Sequence, residues 1–112
     1  MYSSQLLKGT NQTVILKLLK DHNRMYGYEI SQKVKEETNG EIVLPEGSLY
    51  PILHKMAEEG LVKTEKVKIG RRVRRYYTLT RTGSAEAKVQ IAELNRFIQT
   101  IKLLLKPNLK SA

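Results

Sequence analysis

Apolar positions recur along this chain with two different periods, and the switch between them outlines its architecture. Leu49, Ile52, Leu53 and Met56 fall at i, i+3, i+4 and i+7, the spacing of one buried helix face. The opposite face is then Ser48, Tyr50, Pro51, His54 and Lys55. Ser48 is an N-cap type and proline is tolerated in a first turn, so the pattern predicts a helix from Ser48. Gly60 closes it as a left-handed C′ residue, with Leu61 folded back on the last turn. Upstream, Val14, Ile15, Leu18 and Leu19 predict a helix from about Asn11 to Lys20, extended loosely N-terminal of Gly9 toward Leu6 and Leu7. Tyr28, Ile30 and Val34 predict a second helix that opens at Gly27 and stops at Asn39-Gly40. Glu41 to Pro45 reads as a short extended link, because a residue before proline avoids the helical region.

After Gly60 the period becomes that of strands. Val62–Val67 and Arg75–Leu79 bracket the basic stretch 68–74, which predicts a two-stranded wing with a charged tip. Thr80 is an N-cap for a last helix running to about Lys106, although Gly83 stands where a capping box wants Glu or Gln. Pro107-Asn108 stops that helix, and Leu109–Ala112 is expected to fray. The predicted fold is mainly α with a small β-wing (α+β). It is a winged helix-turn-helix over 1–80, a C-terminal dimerisation helix over 81–106 and a tail over 107–112. In the last helix Ala87, Ile91, Leu94, Ile98, Ile101 and Leu105 follow at alternating intervals of four and three, the a/d seam of a coiled coil. This predicts a homodimer, with Leu6 and Leu7 covering part of the seam and Val89 and Phe97 packing back on the core.

The 112 residues, 40% of them hydrophobic, suffice for one modest core, and 20 Lys and Arg against 11 Asp and Glu give a net charge of +9. Such a balance points to a polyanionic partner. Cysteine is absent, which excludes disulfides and thiolate metal sites and fits a cytoplasmic setting. No apolar run approaches a membrane span, and the N-terminus lacks a signal-peptide core. His22 and His54 are read as lacking a metal-ligand neighbour at i+3 or i+4. No phosphate loop or nucleophile motif occurs, so neither an enzyme, a metal nor a cofactor is expected. The hydroxyl, phenol, imidazole and ammonium on the Ser48–Lys55 face can meet phosphates or base edges, and Arg71, Arg72, Arg74 and Arg75 suit phosphate or minor-groove contact. Tyr28, Tyr76 and Tyr77 are expected to be partly core, with Tyr50 on the functional side. The alternative is a winged-helix protein-interaction module without specific DNA binding. A scaffold has no need for the acid-free stretches from Gly47 to Ala57 and from Lys66 to Arg75.

Several strings, in order, resemble the PadR family of transcriptional regulators: LLKGT near the N-terminus, YGYEI at Tyr26–Ile30, LPEGSLYPILHKM at Leu44–Met56, EEGLV at Glu58–Val62 and RRYYTLTRTG at Arg74–Gly83. The resemblance covers about Leu6 to Gly83, and the single helix after the wing is similar to the short members. It implies a dimeric winged-helix protein that binds double-stranded DNA, usually a repressor acting at an inverted repeat. By position, Gly47, Ser48, Tyr50, Pro51 and Lys55 would face DNA from the third helix, with Tyr28 beside them and Arg72, Arg74 and Arg75 on the wing. Arg71 departs from a glycine common in the family, and Ala57 from an acidic residue. Relatives that bind planar aromatic effectors between subunits imply a small-molecule effector at the dimer interface. Here the absence of Trp and the single Phe97 argue against an aromatic sandwich.

Overall fold

Ile15, Leu16, Leu19, Ile30, Leu49, Leu53 and Met56 are buried completely where three helices meet in the computed structural model, which describes residues 2–108. These helices are α2 (Asn11–His22), α3 (Gly27–Glu37) and α4 (Glu46–Glu58), preceded by a short α1 (Ser4–Lys8). The N-terminal helix expected to run loosely through Gly9 is therefore two helices. Thr10 Oγ1 donates to the Leu7 carbonyl at 3.0 Å at the joint. Asn23, at φ 61°, ends α2. The chain then enters β1 (Arg24–Tyr26), a strand that the sequence pattern did not predict because three residues are too few to show alternation. Strands β2 (Val62–Ile69) and β3 (Arg72–Leu79) complete a three-stranded antiparallel sheet in the order β1-β3-β2. Each wing strand extends further toward the tip than its alternation indicated. Gly70, at φ 61°, and Arg71 are the two-residue turn between them.

The start of α4 corrects the expected Ser48 cap. The N-cap is Pro45, and its carbonyl accepts from the N–H groups of Ser48 and Leu49, both at 2.9 Å. Proline's fixed φ sets the extended entry, and Ser31 Oγ secures the link by donating to the Leu44 carbonyl at 2.7 Å. Pro51 consequently sits in the second turn. Its missing N–H leaves the Gly47 carbonyl on an exposed face, where water can satisfy it. Glu46 joins the first turn, where a carboxylate suits the positive end of the helix. The other end is as predicted. Gly60 N–H reaches the Ala57 carbonyl at 3.1 Å and Leu61 N–H the Met56 carbonyl at 2.9 Å, a Schellman closure that buries Leu61.

Thr80 ties that closure to the last helix, α5 (Arg81–Leu105). Its hydroxyl donates to the Gly60 carbonyl at 2.6 Å and accepts from Gly83 N–H at 2.9 Å, while its own N–H reaches the Leu61 carbonyl at 3.0 Å. The incomplete capping box has a steric cause, since a Cβ on Gly83 would lie 1.8 Å from the Leu61 carbonyl oxygen. α5 ends one residue earlier than predicted, and the tail from Leu109 onward lies outside the described residues.

Candidate nucleic-acid interface

The buried stripe of α4, Leu49, Leu53 and Met56, leaves Gly47, Ser48, Tyr50, Pro51, His54 and Lys55 exposed on the other side, with Ile52 half-buried between. The helix that the sequence singled out thus presents its polar face outward. His54 Nε2 lies 3.5 Å from Glu58 Oε1 one turn on, which corrects the reading that it has no acidic neighbour at i+4. Among the described residues, however, no group of three or more His, Asp or Glu side chains could hold a metal. Tyr50 is 45% exposed, and its ring lies over Gly27, where an added Cβ would meet the phenol oxygen at 2.6 Å. Partial burial, then the charge of Glu46 and the nearness of Tyr77, raise its pKa above the ordinary phenol value. Glycine at the start of α3 therefore leaves room for the Tyr50 ring of α4, which stays partly exposed.

Tyr28 departs from expectation. It is 54% exposed rather than partly core, because it occupies the first turn of α3 beyond the end of β1. Its ring stacks at 6.5 Å on Tyr26, which meets Tyr76 edge-on at 5.4 Å. Tyr77 is buried as expected and Tyr76 is half-buried. Two guanidinium groups lie on these rings, Arg24 at 4.2 Å from the Tyr76 centroid and Arg74 at 4.4 Å from that of Tyr26. A hydrogen bond with Tyr76 raises the pKa of Arg74 further. The register explains the grouping, since Tyr26 pairs with Tyr76 and Arg24 with Thr78, and alternation puts Arg72, Arg74 and Tyr76 on one face. Arg75 points to the opposite face, opposite Lys66, and Arg71 sits at the turn. The wing arginines, grouped by sequence, are thus split between two faces. Tyr26 and Arg24 belong to the cluster and were missed, because only the unpredicted β1 brings them there.

A groove beside α4 is lined by Ser4, Gln5, Lys8, Asn11 and Gln12 on one wall and by Ser48, Pro51, Ile52 and Lys55 on the other. It adds Lys8 and Gln12 to the predicted set. No carboxylate lines it, and neither Lys8 nor Lys55 forms an ion pair among the described residues.

The expected seam of α5 divides. Ala87 is 0% exposed and so leaves no surface for a second subunit, whereas Ile91 packs on the same core but stays half-buried. Thr13 Oγ1 and Gln90 Oε1, 3.1 Å apart, fix this docking. Leu94 is half-buried beside Val14 and Leu18 of α2. Val89 and Phe97, expected to pack inward, are each 58% exposed and share an open groove with Leu6. Periodicity identified an apolar face but not which neighbour it meets. Ile98 and Leu105 remain exposed with Phe97, Leu103 and Leu104, and Ile101 is half-buried. Leu7 is half-buried near the start of the chain.

Residues 15–89 match the model of the family described as the transcriptional regulator PadR-like family. A protein of Lysinibacillus sphaericus is 28% identical over 108 residues, 95% of this chain and 97% of that one. A solved transcriptional regulator from Clostridium thermocellum superposes with a TM-score of 0.84 at 28% identity, covering 95% of this chain and 100% of its own. A PadR-like transcriptional regulator from Bacillus cereus gives 0.78 at 28% identity, with 94% and 100% covered. One from Eggerthella lenta, at 24% identity, shares the fold with a TM-score of 0.80 over 93% of this chain and 88% of its own.

Proposed function

The chain belongs to the PadR-like family of transcriptional regulators, and from that premise we propose a homodimeric repressor whose paired recognition helices read an inverted repeat near a promoter. It is a DNA-binding regulator rather than an enzyme. One observation carries the finer reading. The outward face of α4, Gly47, Ser48, Tyr50, Pro51, His54 and Lys55, bears no carboxylate, and neither does the hairpin from Lys66 to Arg75. With α4 in the major groove, Ser48 and Tyr50 reach base edges or fix register, and Gly47 and Pro51 keep the backbone slim for close approach. Lys55, Tyr28, Arg71, Arg72, Arg74 and Arg75 take phosphates on either side.

The second subunit covers the distal half of α5, whose Phe97, Ile98, Ile101 and Leu105 have no core to join, with Leu94, Leu6 and Leu7 at the margin. The 25 residues of α5 span about 37 Å, close to the roughly 34–36 Å between half-sites one DNA turn apart. An effector would enter at this interface, where Phe97 is the sole Phe and Trp is lacking, so a flat aromatic finds no ring sandwich. Footprinting on the protein's own upstream DNA tests the reading. Two protected half-sites of inverted symmetry about one turn apart are expected. Equal affinity for upstream and random duplex favours the interaction-module alternative.

A further inference from the structure

The outer half of the wing carries a charge arrangement that folding alone does not favour. Lys66 pairs directly with Arg75 and Lys68 with Val73, so all these side chains stand on one face of the ribbon, the face that carries Tyr77 further in. Directly opposed residues have Cβ atoms about 4.5–5.5 Å apart, and like charges at that spacing repel. The one carboxylate of the hairpin, Glu65, is on the other face, where Arg24 holds it at 3.4 Å. None of Lys66, Lys68 and Arg75 has a carboxylate partner among the described residues.

Among the described residues, no packing or carboxylate nearby offsets the repulsion. β1 covers β3 only from Tyr76 to Thr78, and among the described residues the core reaches outward no further than Tyr77. From the Lys66–Arg75 pair to the turn, the wing is a ribbon of two strands, with Ile69 and Val73 exposed instead of packed. Such a ribbon is marginal in water even without repulsion. A row of anions laid along this face would neutralise all three cations at once. The face is also that of Tyr77, which is near enough to Tyr50 on α4 to contribute to its raised pKa.

We infer that Lys66, Lys68 and Arg75 form a clamp for the DNA phosphate backbone that is frustrated in the free protein, so that the outer wing becomes firmly paired only against DNA. This rests on the DNA-binding reading above and adds to it the β2 lysines and a coupling between wing order and DNA. The test is Lys66→Glu, which gives Arg75 a carboxylate partner, with Lys66→Gln as the milder variant. Amide hydrogen exchange over residues 66–75 and titration with random duplex across a salt series are the readouts. In the wild type, duplex slows exchange of the outer wing. In Lys66→Glu that exchange is already slow without DNA, yet affinity falls and the slope of log affinity against log salt drops by more than the about 0.9 of one phosphate, because Arg75 is drawn to the new carboxylate as well. Lys66→Gln moves both readouts the same way by less. Wild-type affinity and slope in Lys66→Glu, or exchange no slower than wild type, overturns the clamp. If the wild type itself shows no salt-dependent binding to any duplex, the DNA-binding reading falls and takes the clamp with it.

Discussion

Replacing Gly83 by alanine sets two effects of opposite sign against each other. Within a helix, Gly→Ala ordinarily stabilises by about 0.8–1.0 kcal/mol. Here the new Cβ would sit 1.8 Å from the Leu61 carbonyl oxygen and 2.7 Å from its carbon, backbone atoms rather than the end of a flexible side chain. Normal contact begins near ~3.4 Å, so helix and loop must separate by roughly 1.5 Å. That carbonyl accepts from Thr80 N–H, and the adjacent N–H of Leu61 closes α4. A shift of this size therefore loosens the α4 closure, the hairpin base and the first turn of α5 together. Overpacking of this kind costs about 1–3 kcal/mol, and weakening a buried backbone hydrogen bond adds about 1 kcal/mol. After the propensity gain, the net loss is about 2 kcal/mol, or a fall of roughly 8 °C in Tm. Gly47→Ala is the internal control, since a Cβ there meets nothing within 4 Å, and it should melt at or above the wild type. Calorimetry of the three proteins decides. Gly83→Ala melting at or above the wild type would refute the close approach as the reason for glycine.

Other expectations follow from the interface. Arg72→Ala with Arg74→Ala should lower the salt slope of DNA binding by about 0.9 for each phosphate left without its arginine, whereas an unchanged slope removes that face of the wing from the interface. Tyr50→Ala and Ser48→Ala should weaken operator binding by about 1–3 kcal/mol while leaving non-specific binding nearly intact; a parallel fall in both points to packing instead. Ile98→Asp with Leu105→Asp, both at exposed positions, should yield a monomer by sedimentation that keeps its helical signal and loses operator affinity. A dimer that persists, or a monomer with full affinity, breaks the link between α5 and DNA binding.

The parts of the fold that the sequence disclosed are those in which one helix face meets one core. The buried stripe of α4 and its Gly60-Leu61 closure are local patterns, and the strand alternation of the wing is another. What stayed hidden depends on neighbours distant in sequence. Three residues of β1 become a strand only because β3 lies beside them, and the Arg24, Tyr26, Tyr76 and Arg74 cluster follows from that pairing. The entry to α4 is fixed at Pro45 by its own carbonyl and by Ser31, not by the serine that looked like a cap. Leu16 completes the buried face of α2 although the periodic reading passed over it. Ala87 and Ile91 fit a coiled-coil seam equally well whether the facing helix is a partner's or α2, and spacing alone cannot separate the two.

The stacking of Arg74 on the Tyr26 ring bears on how quickly the protein could exchange one stretch of duplex for another. An arginine already paired with a carboxylate must break that pair before it takes a phosphate, and it tends to re-form the pair on leaving. A guanidinium lying flat on a ring keeps its N–H edge available, so a phosphate can be gained or released while the ring stacking stays in place. The Arg74 guanidinium lies over the Tyr26 ring and, among the described residues, has no carboxylate ion pair to exchange. If the wing meets phosphates as proposed above, each step from one phosphate to the next would cross a low local barrier, which would suit it to scanning long tracts of DNA as much as to gripping one site.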